Sequence, residues 1–500
     1  MRLFDGVALA NNLILGLDFG TSSVKAIFID DAGEILKRVE VKIATTTSQN
    51  SVAEQNADDY LAALAEISKS NSNLIANVIA IGLSGHTPSV VCVDSAGSAV
   101  RPVMTWQDNR ATKEADDLLA KYGNPFEIIG TSLPWSASAC PAKLFWLARH
   151  EPEIVAKTRW VLQPKDFVGM HLTGKAISDP WSSKGICNVL TRAPISNLLE
   201  FIGWDSKIVP KLGDGYESRG GVSDAAAKEF GLPVGIPVSI GWSDAMCGMV
   251  ALNVMNEPSS FIITGTSAIV GASTRTPPKD GGSLYIIPNT CAPFAITYGP
   301  TQSSGSAVSW ISTLLEISQD EAINLAGRSE SPDLPIFLPY IYGERAPLWR
   351  TDLQGGFYGI GGATNKSDLA ASVLEGISFA EKQVIETAEA LNHSVNRLIK
   401  LGGHAGNDQR WEKIRLKTLG REISRYEDTD TTTRGSAILA HAVITKNLSE
   451  SSERLGFHSI KSTPSELQKD YSKKKFNEFL LAQAEALRLA DQKKGTRVRF

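Results

Sequence analysis

One local pattern occurs twice in this chain, about half a chain apart, and it constrains the fold more than any other feature. An apolar run, Ile14–Leu17, ends in Asp18-Phe19-Gly20-Thr21 and is followed at once by a second run, Val24–Ile29. The same order returns at Ile262-Ile263-Thr264-Gly265-Thr266-Ser267, again before an apolar run. Short apolar runs flanking a glycine turn read as hairpins. A turn built of glycine and hydroxyl side chains offers backbone N–H and O–H donors to an anion. The repetition reads as an internal duplication of a phosphate-handling hairpin. A plain turn or a chance match is the rival at each copy, and two such loops gripping one phosphate chain is the stronger reading.

The surrounding pattern is α/β. Asp30-Asp31-Ala32-Gly33 makes a turn after the second run, and a third strand closes a meander. The spacing of Tyr60, Leu61, Leu64 and Ile67 predicts a helix over Asp58–Lys69. A strand over Val78–Leu83 enters the loop SGHTPS. Residues 232–262 hold two strand-like runs around a helix. Further on, Leu369, Val373, Ile377, Val384 and Leu391 form a helical stripe. Arg397–Leu401 is strand-like and runs into Gly402-Gly403-His404-Ala405-Gly406-Asn407, and Gly435-Ser436-Ala437 opens a small-residue helix. The last ~35 residues read as one amphipathic helix ending in a solvated basic tail, LADQKKGTRVRF. Strands alternating with helices imply helices packed on a sheet. At 500 residues two or three domains are expected.

Composition excludes several function classes. With 42% apolar and 21% charged residues the chain is neither disordered nor fibrous. A net charge of −4 supplies no positive field for nucleic acid or an anionic membrane, so neither is an expected partner. No apolar run approaches the ~20 residues of a membrane span. The start, MRLFDGVALANN, is too short and polar for a signal peptide. Five cysteines without a C-x-x-C read as reduced thiols in a cytoplasmic protein. Seven scattered histidines give no H-x-x-x-H pair and no expectation of a zinc site. Oligomeric state, a homodimer among the options, is not set by the sequence.

Five segments carry candidate chemistry. In Asp18-Phe19-Gly20-Thr21-Ser22-Ser23 the hydroxyls and Gly20 suit phosphate, whereas Asp18 reaches phosphate only through Mg²⁺, which prefers few carboxylates and several waters. Gly402 and Gly403 follow a strand and precede a helix starting near Asp408, so they permit close approach of a flat ring; a packing turn is the equal alternative. Asp244 follows a strand at the start of a helix, as a general base for a substrate hydroxyl or as a structural N-cap. Trp106-Gln107-Asp108-Asn109-Arg110 sets an aromatic face beside polar groups, as polyol sites do; a structural Asp108–Arg110 ion pair competes with that reading. His86 and Thr87 lie on a loop after a strand, facing a ligand or merely satisfied. No G-x-x-x-x-G-K-[ST], complete G-x-G-x-x-G or G-x-S-x-G is present.

In this order the segments resemble the FGGY carbohydrate kinases, of the actin-like (ribonuclease H-like) ATPase superfamily, from about Leu13 to Leu489. Ser138-Ala139-Cys140-Pro141-Ala142-Lys143-Leu144-Phe145-Trp146-Leu147-Ala148-Arg149-His150 is similar to the family's first signature, departing only at Cys140. Gly355-Gly356-Phe357-Tyr358-Gly359-Ile360, seven residues, then Asp368-Leu369-Ala370-Ala371-Ser372-Val373-Leu374-Glu375 fits the second throughout. The resemblance implies an α/β fold of two actin-like domains with an interdomain cleft, 13–250 sugar-binding and 251–490 nucleotide-binding. It implies Asp18 for Mg²⁺; Thr21, Ser22, Ser23, Gly265, Thr266, Gly402, Gly403 and Asn407 for ATP; His86, Thr87, Trp106 and Asp108 for the sugar; and Asp244 as catalytic base. Departures from xylulose kinases fall at His86-Thr87-Pro88-Ser89, where Gln-Met-His-Gly is usual, at Trp106-Gln107-Asp108, where Trp-Asn-Asp is usual, and at Leu416-Lys417, where Ala-Asp is usual. Glu344-Arg345-Ala346-Pro347-Leu348-Trp349 and Ala53-Glu54-Gln55-Asn56 are similar to gluconate kinases as well.

The sequence thus points to an ATP- and Mg²⁺-dependent kinase acting on a small-molecule sugar, first of all a ketopentose such as D-xylulose. Another sugar, polyol or sugar acid (gluconate, ribulose, erythritol) is the alternative. An actin-like ATPase without a sugar is the alternative of another class.

Overall fold

Strand β1 (Leu13–Phe19) is buried along its whole length, as a central strand covered on both faces must be. It runs antiparallel to β2 (Ser23–Asp30), which runs antiparallel to β3 (Ile35–Lys42). This is the expected meander. On its other side β1 runs parallel to β4 (Val78–Gly85). Beyond β4 come β5 (Ser218–Gly221), β6 (Pro237–Ser239) and β7 (Trp242–Ser243), giving a seven-stranded sheet in the order β5-β6-β4-β1-β2-β3, with β7 also paired to β4. The computed structural model that shows this describes residues 12–48, 51–132, 134–392, 398–403, 408–426, 428–456 and 458–497.

The two faces of this sheet are covered for different reasons. Leu15, Leu17, Ile81 and Leu83 share a core with Tyr60, Leu64 and Ile67 of the helix Asp58–Ser70 and with Phe167 of the helix Pro164–Thr173. Because side chains alternate along a strand, Gly16 and Gly82 face the other way, and they are register partners. The helix Thr431–Thr445 lies on them. A methyl on Gly16 would overlap the Thr433 carbonyl, and one on Gly82 the Ser436 carbonyl. Only glycine lets the helix backbone come that close. The same helix meets the helix Asp244–Ala251 at Gly435, where a methyl would overlap the Cys247 carbonyl.

A second seven-stranded sheet holds β8 (Ser260–Thr264), β9 (Ala268–Thr274), β10 (Tyr285–Ile287), β11 (Ala295–Pro300), β12 (Ile399–Gly403), β13 (Ile423–Tyr426) and β14 (Ser459–Ser462). Its order is β10-β11-β9-β8-β12-β13-β14. Strands β8 and β9 form an antiparallel hairpin, and β8 is parallel to β12, which is parallel to β13. The helix Lys366–Asn392 covers it through Val384, Ile385 and Ala388, against Ile262, Val270 and Leu401. The run β11-β9-β8-β12-β13 repeats the strand directions of β3-β2-β1-β4-β6. The duplicated sequence pattern is therefore a duplicated topology.

Backbone contacts divide the chain into two units. The first takes the chain up to Asn256 with Ile287–Pro293 and Thr431–Gly456; the second takes Glu257–Ile286, Phe294–Asp430 and the segment after Gly456. This differs from the contiguous 13–250 and 251–490 division expected from sequence, because the helix Thr431–Thr445 returns to the glycines of the first sheet. That helix also opens four residues before Gly435. The final helix, Glu466–Arg497, continues through most of the segment expected to be a solvated tail. Among the described residues no helix is long and apolar enough to cross a membrane.

Candidate active site

The first unit gathers its polar groups at the C-terminal ends of β1, β4 and β7. Register places Asp18 opposite Ser84, and Ser84 Oγ donates to Asp18 Oδ1 at 2.7 Å. Thr432 Oγ1 donates to Asp18 Oδ2 at 3.1 Å. Beyond Asp18 the chain turns tightly, with Gly20 N–H donating to Ser23 O at 3.0 Å. Ser22 is exposed, Thr21 half-buried and Ser23 buried. The Thr21 carbonyl is held from behind by Thr45 Oγ1 at 2.6 Å and Gln55 Nε2 at 2.8 Å.

Trp242 and Ser243 pair with Ser84 and Gly85, which brings Asp244 out at the same end of the sheet. The N-cap of the helix Asp244–Ala251 is Ser243, whose Oγ accepts from Met246 N at 3.4 Å. Asp244 is therefore not the N-cap but the first residue of the helix. Its Oδ1 accepts from Ala245 N at 2.7 Å, and the side chain stays half-buried. Burial, with the negative charge of Asp18 adding to it, pushes its pKa up to about 7; the Ala245 N–H and the Lys184 ammonium pull the other way. A carboxylate poised near neutrality suits a general base.

The Asp18 carboxylate, with the Ser84 and Thr432 hydroxyls beside it, fits a hard divalent cation that takes few carboxylates and fills its shell with water and phosphate oxygens. Among the described residues no group of three or more histidine, cysteine, aspartate or glutamate side chains forms a metal cage. The donor set suits Mg²⁺ carried in with a nucleotide better than a resident metal.

The expected sugar-facing residues divide. His86 is buried, with Nδ1 2.7 Å from Ser89 Oγ and Nε2 3.2 Å from Gln55 Oε1. Burial, aided by the Lys143 charge, lowers its pKa to about 3, so the ring is neutral. Asp108 is fully buried and ion-paired to Arg110 at 2.6 Å, and its Oδ2 also accepts from Ala53 N at 2.9 Å. That is the structural ion pair the sequence had left as the competing reading. Both residues differ from the expected direct contacts because their polar atoms are spent internally. Thr87 is half-buried, and Trp106 is 40% exposed. Lys143, from the first signature, donates to Pro88 O at 3.0 Å and Thr105 O at 2.6 Å, tying the His86 loop to the Trp106 loop.

In the second unit Gly265 and Thr266 are exposed at the end of β8. Register sets Gly402 and Gly403 beside Ile263 and Thr264, and Thr264 Oγ1 donates to Gly402 O at 3.1 Å. A methyl on Gly403, at φ +81°, would strike the Thr264 backbone, so this glycine is required for packing. The helix Gln409–Leu419 starts where expected, and Asp408 caps it through its Oδ1, which accepts from Arg410 N at 2.8 Å. The candidate Asn407 lies outside the described residues.

Several neighbours escaped the sequence reading. Ser84, Thr432 and Gln55 reach the site only through the tertiary fold. A third loop abuts Gly265: Ser304 N donates to Thr266 O at 3.1 Å and Gly305 N to Gly265 O at 3.0 Å. The buried hydroxyls of Ser303 and Ser304 have no hydrogen-bond partner there. The run Thr301-Gln302-Ser303-Ser304-Gly305-Ser306 before an apolar helix was the available signal.

Known proteins resemble this chain over most of its length. Residues 13–251 match the N-terminal domain, and residues 260–443 the C-terminal domain, of the FGGY family of carbohydrate kinases. A xylulose kinase of Staphylococcus epidermidis is 27% identical over 454 residues, covering 86% of this chain and 88% of that protein. A gluconokinase of Bacillus subtilis is 24% identical over 447 residues, covering 85% and 86%. The crystal structure of xylulose kinase from Rhodospirillum rubrum superposes with a TM-score of 0.85 at 22% identity, over 96% of this chain and all of that one. With both family domains in place on a two-domain actin-like fold, the chain belongs to the FGGY family of carbohydrate kinases, transferases that phosphorylate sugar hydroxyl groups.

Proposed function

We propose that this kinase phosphorylates a primary hydroxyl of a small sugar, with a ketopentose such as D-xylulose as the first substrate to test. The xylulose kinases among its relatives support that choice. The observation that carries the mechanism is Asp244: half-buried at a helix start beside Asp18, with its pKa raised to about 7. In this reading the Asp244 carboxylate accepts the hydroxyl proton, the oxygen forms a bond to the γ-phosphorus of ATP, and the bond to the β-bridging oxygen breaks to leave ADP. In the first unit the Gly20–Ser23 turn offers N–H and O–H donors to phosphate, and in the second Gly265, Thr266, Gly402 and Gly403 are the nucleotide-facing candidates. Mg²⁺, held through Asp18, would neutralise phosphate charge when bound. Thr87 and Trp106 touch the sugar. His86 and Asp108 position it indirectly, through the loops they pin.

The test is ADP release from Mg·ATP with D-xylulose, L-ribulose, D-ribulose, D-gluconate, erythritol, glycerol and a blank. Turnover well above the blank with D-xylulose is the expected result. Equal turnover in every well would refute the sugar-site reading.

A further inference from the structure

Among the described residues, two charges act on Asp244, those of Asp18 and Lys184, and the mechanism does not use Lys184. It sits on the segment that begins at Asp179, and Asp179 is fixed by an ion pair to Lys165 at 2.9 Å. Lys165 in turn backs onto Gly85, where a Cβ would lie 3.3 Å from the Lys165 side chain. Gly85 pairs with Ser243, the residue before Asp244. The chain of contacts brings the Lys184 segment to the end of β4 where Asp18 and Asp244 meet.

The Lys184 ammonium donates to Trp181 O at 3.1 Å and lies 4.8 Å from the centre of the Trp181 ring. Among the described residues no carboxylate comes within ion-pair distance of it. The charged and titratable groups facing it are Asp179, Asp244, Cys140 and Cys291. Asp179 is ion-paired to Lys165, whose other partner, Asp166, also faces the Arg219 charge. Burial pushes both thiols up, so they carry no charge at neutral pH. Asp244 is shared with its own proton near pH 7. Burial lowers the pKa of Lys184 itself, the mark of a cation short of compensation. A half-buried ammonium with donors to spare costs free energy until an anion closes it.

We propose that Lys184 is a specificity-determining residue that binds the carboxylate of a sugar acid, so that the site accepts straight-chain aldonates as well as neutral sugars. The proposal rests on the reading of Asp244 as the base that faces the sugar. An ammonium is a compact point charge that needs one anionic oxygen rather than a fixed bidentate geometry, which suits a flexible open-chain acid. Neutral sugars of the same length leave the ammonium unpaired and bind less well.

Titration calorimetry without nucleotide, on wild type, Lys184→Met and Lys184→Arg, compares D-gluconate with D-glucitol, the same chain without the charge. Steady-state turnover with Mg·ATP compares D-gluconate with D-xylulose. D-gluconate should bind wild type at least about tenfold tighter than D-glucitol. Lys184→Met should erase that preference and lower the gluconate-to-xylulose ratio of kcat/KM by a similar factor, and Lys184→Arg should restore part of both. Equal binding of D-gluconate and D-glucitol by wild type overturns the proposal even if Lys184→Met does not fold. So does an unchanged preference in Lys184→Met. Charge-selective binding without turnover of any sugar would refute the Asp244 reading instead and leave the Lys184 assignment standing.

Discussion

Asp244→Asn should remove most of kcat and raise stability together, because both effects have one cause. The asparagine keeps the oxygen that accepts from Ala245 N at 2.7 Å, so the local geometry survives. What disappears is the negative charge held in a desolvated place beside Asp18. A folded-state pKa raised from 3.8 to about 7 means the folded protein binds the proton more tightly than the unfolded chain does. The group's favourable contribution is complete below about pH 4 and is lost as pH rises to about 7. The three-unit shift corresponds to about 4 kcal/mol for a sealed group. Asp244 is half-buried, and solvent screening reduces this to about 2 kcal/mol. At pH 8 the neutral amide should therefore raise Tm by roughly 4–8 °C, and at pH 4 the difference should vanish. Loss of a general base costs about 10²–10⁴ in kcat. For wild type, kcat should climb about tenfold per pH unit below pH 7 and level off above it. Differential scanning fluorimetry at pH 4, 6 and 8, with coupled ADP-release kinetics over the same range, checks both halves. Wild-type turnover in Asp244→Asn would refute the base assignment. A Tm that falls at pH 8 would refute the desolvation argument, since the carboxylate would then be stabilising.

Three further outcomes are expected. Gly82→Ala drives a methyl into the Ser436 carbonyl and should cost about 1–3 kcal/mol or more, read by chemical denaturation; an unchanged midpoint would mean the helix Thr431–Thr445 can back away from the sheet. Asp108→Ala leaves Arg110 its ion pair with Glu54 but takes the acceptor from the Ala53 N–H, and should destabilise the protein by about 1–3 kcal/mol; a variant of normal stability with only a raised sugar KM would restore the direct-contact reading of Asp108. Ser304→Ala removes a buried hydroxyl without a partner, so Tm without nucleotide should hold or rise slightly, while KM for ATP should increase about 3- to 10-fold; an unchanged KM would exclude this hydroxyl from the phosphate site.

Local pattern determined much of this protein. The two hairpins with their Gly-Thr-Ser turns, the helices over Asp58–Ser70 and Lys366–Asn392, and the position of Asp244 after a strand all follow from side-chain periodicity and turn chemistry. These act over a few residues and are written in order along the chain. Tertiary structure alone decided three things. It sent the helix Thr431–Thr445 back to Gly16 and Gly82, because helix and sheet backbones can touch there only where both register partners lack a Cβ. It turned His86 and Asp108 inward, since Gln55, Ser89, Ala53 and Arg110 satisfy their polar atoms, and which polar groups are satisfied depends on neighbours brought from elsewhere in the chain. And it raised the Asp244 carboxyl to near neutrality and left Lys184, among the described residues, without a carboxylate partner. A pKa and an unpaired charge are properties of desolvation and of the surrounding field, and neither is encoded in the identity of the residue itself.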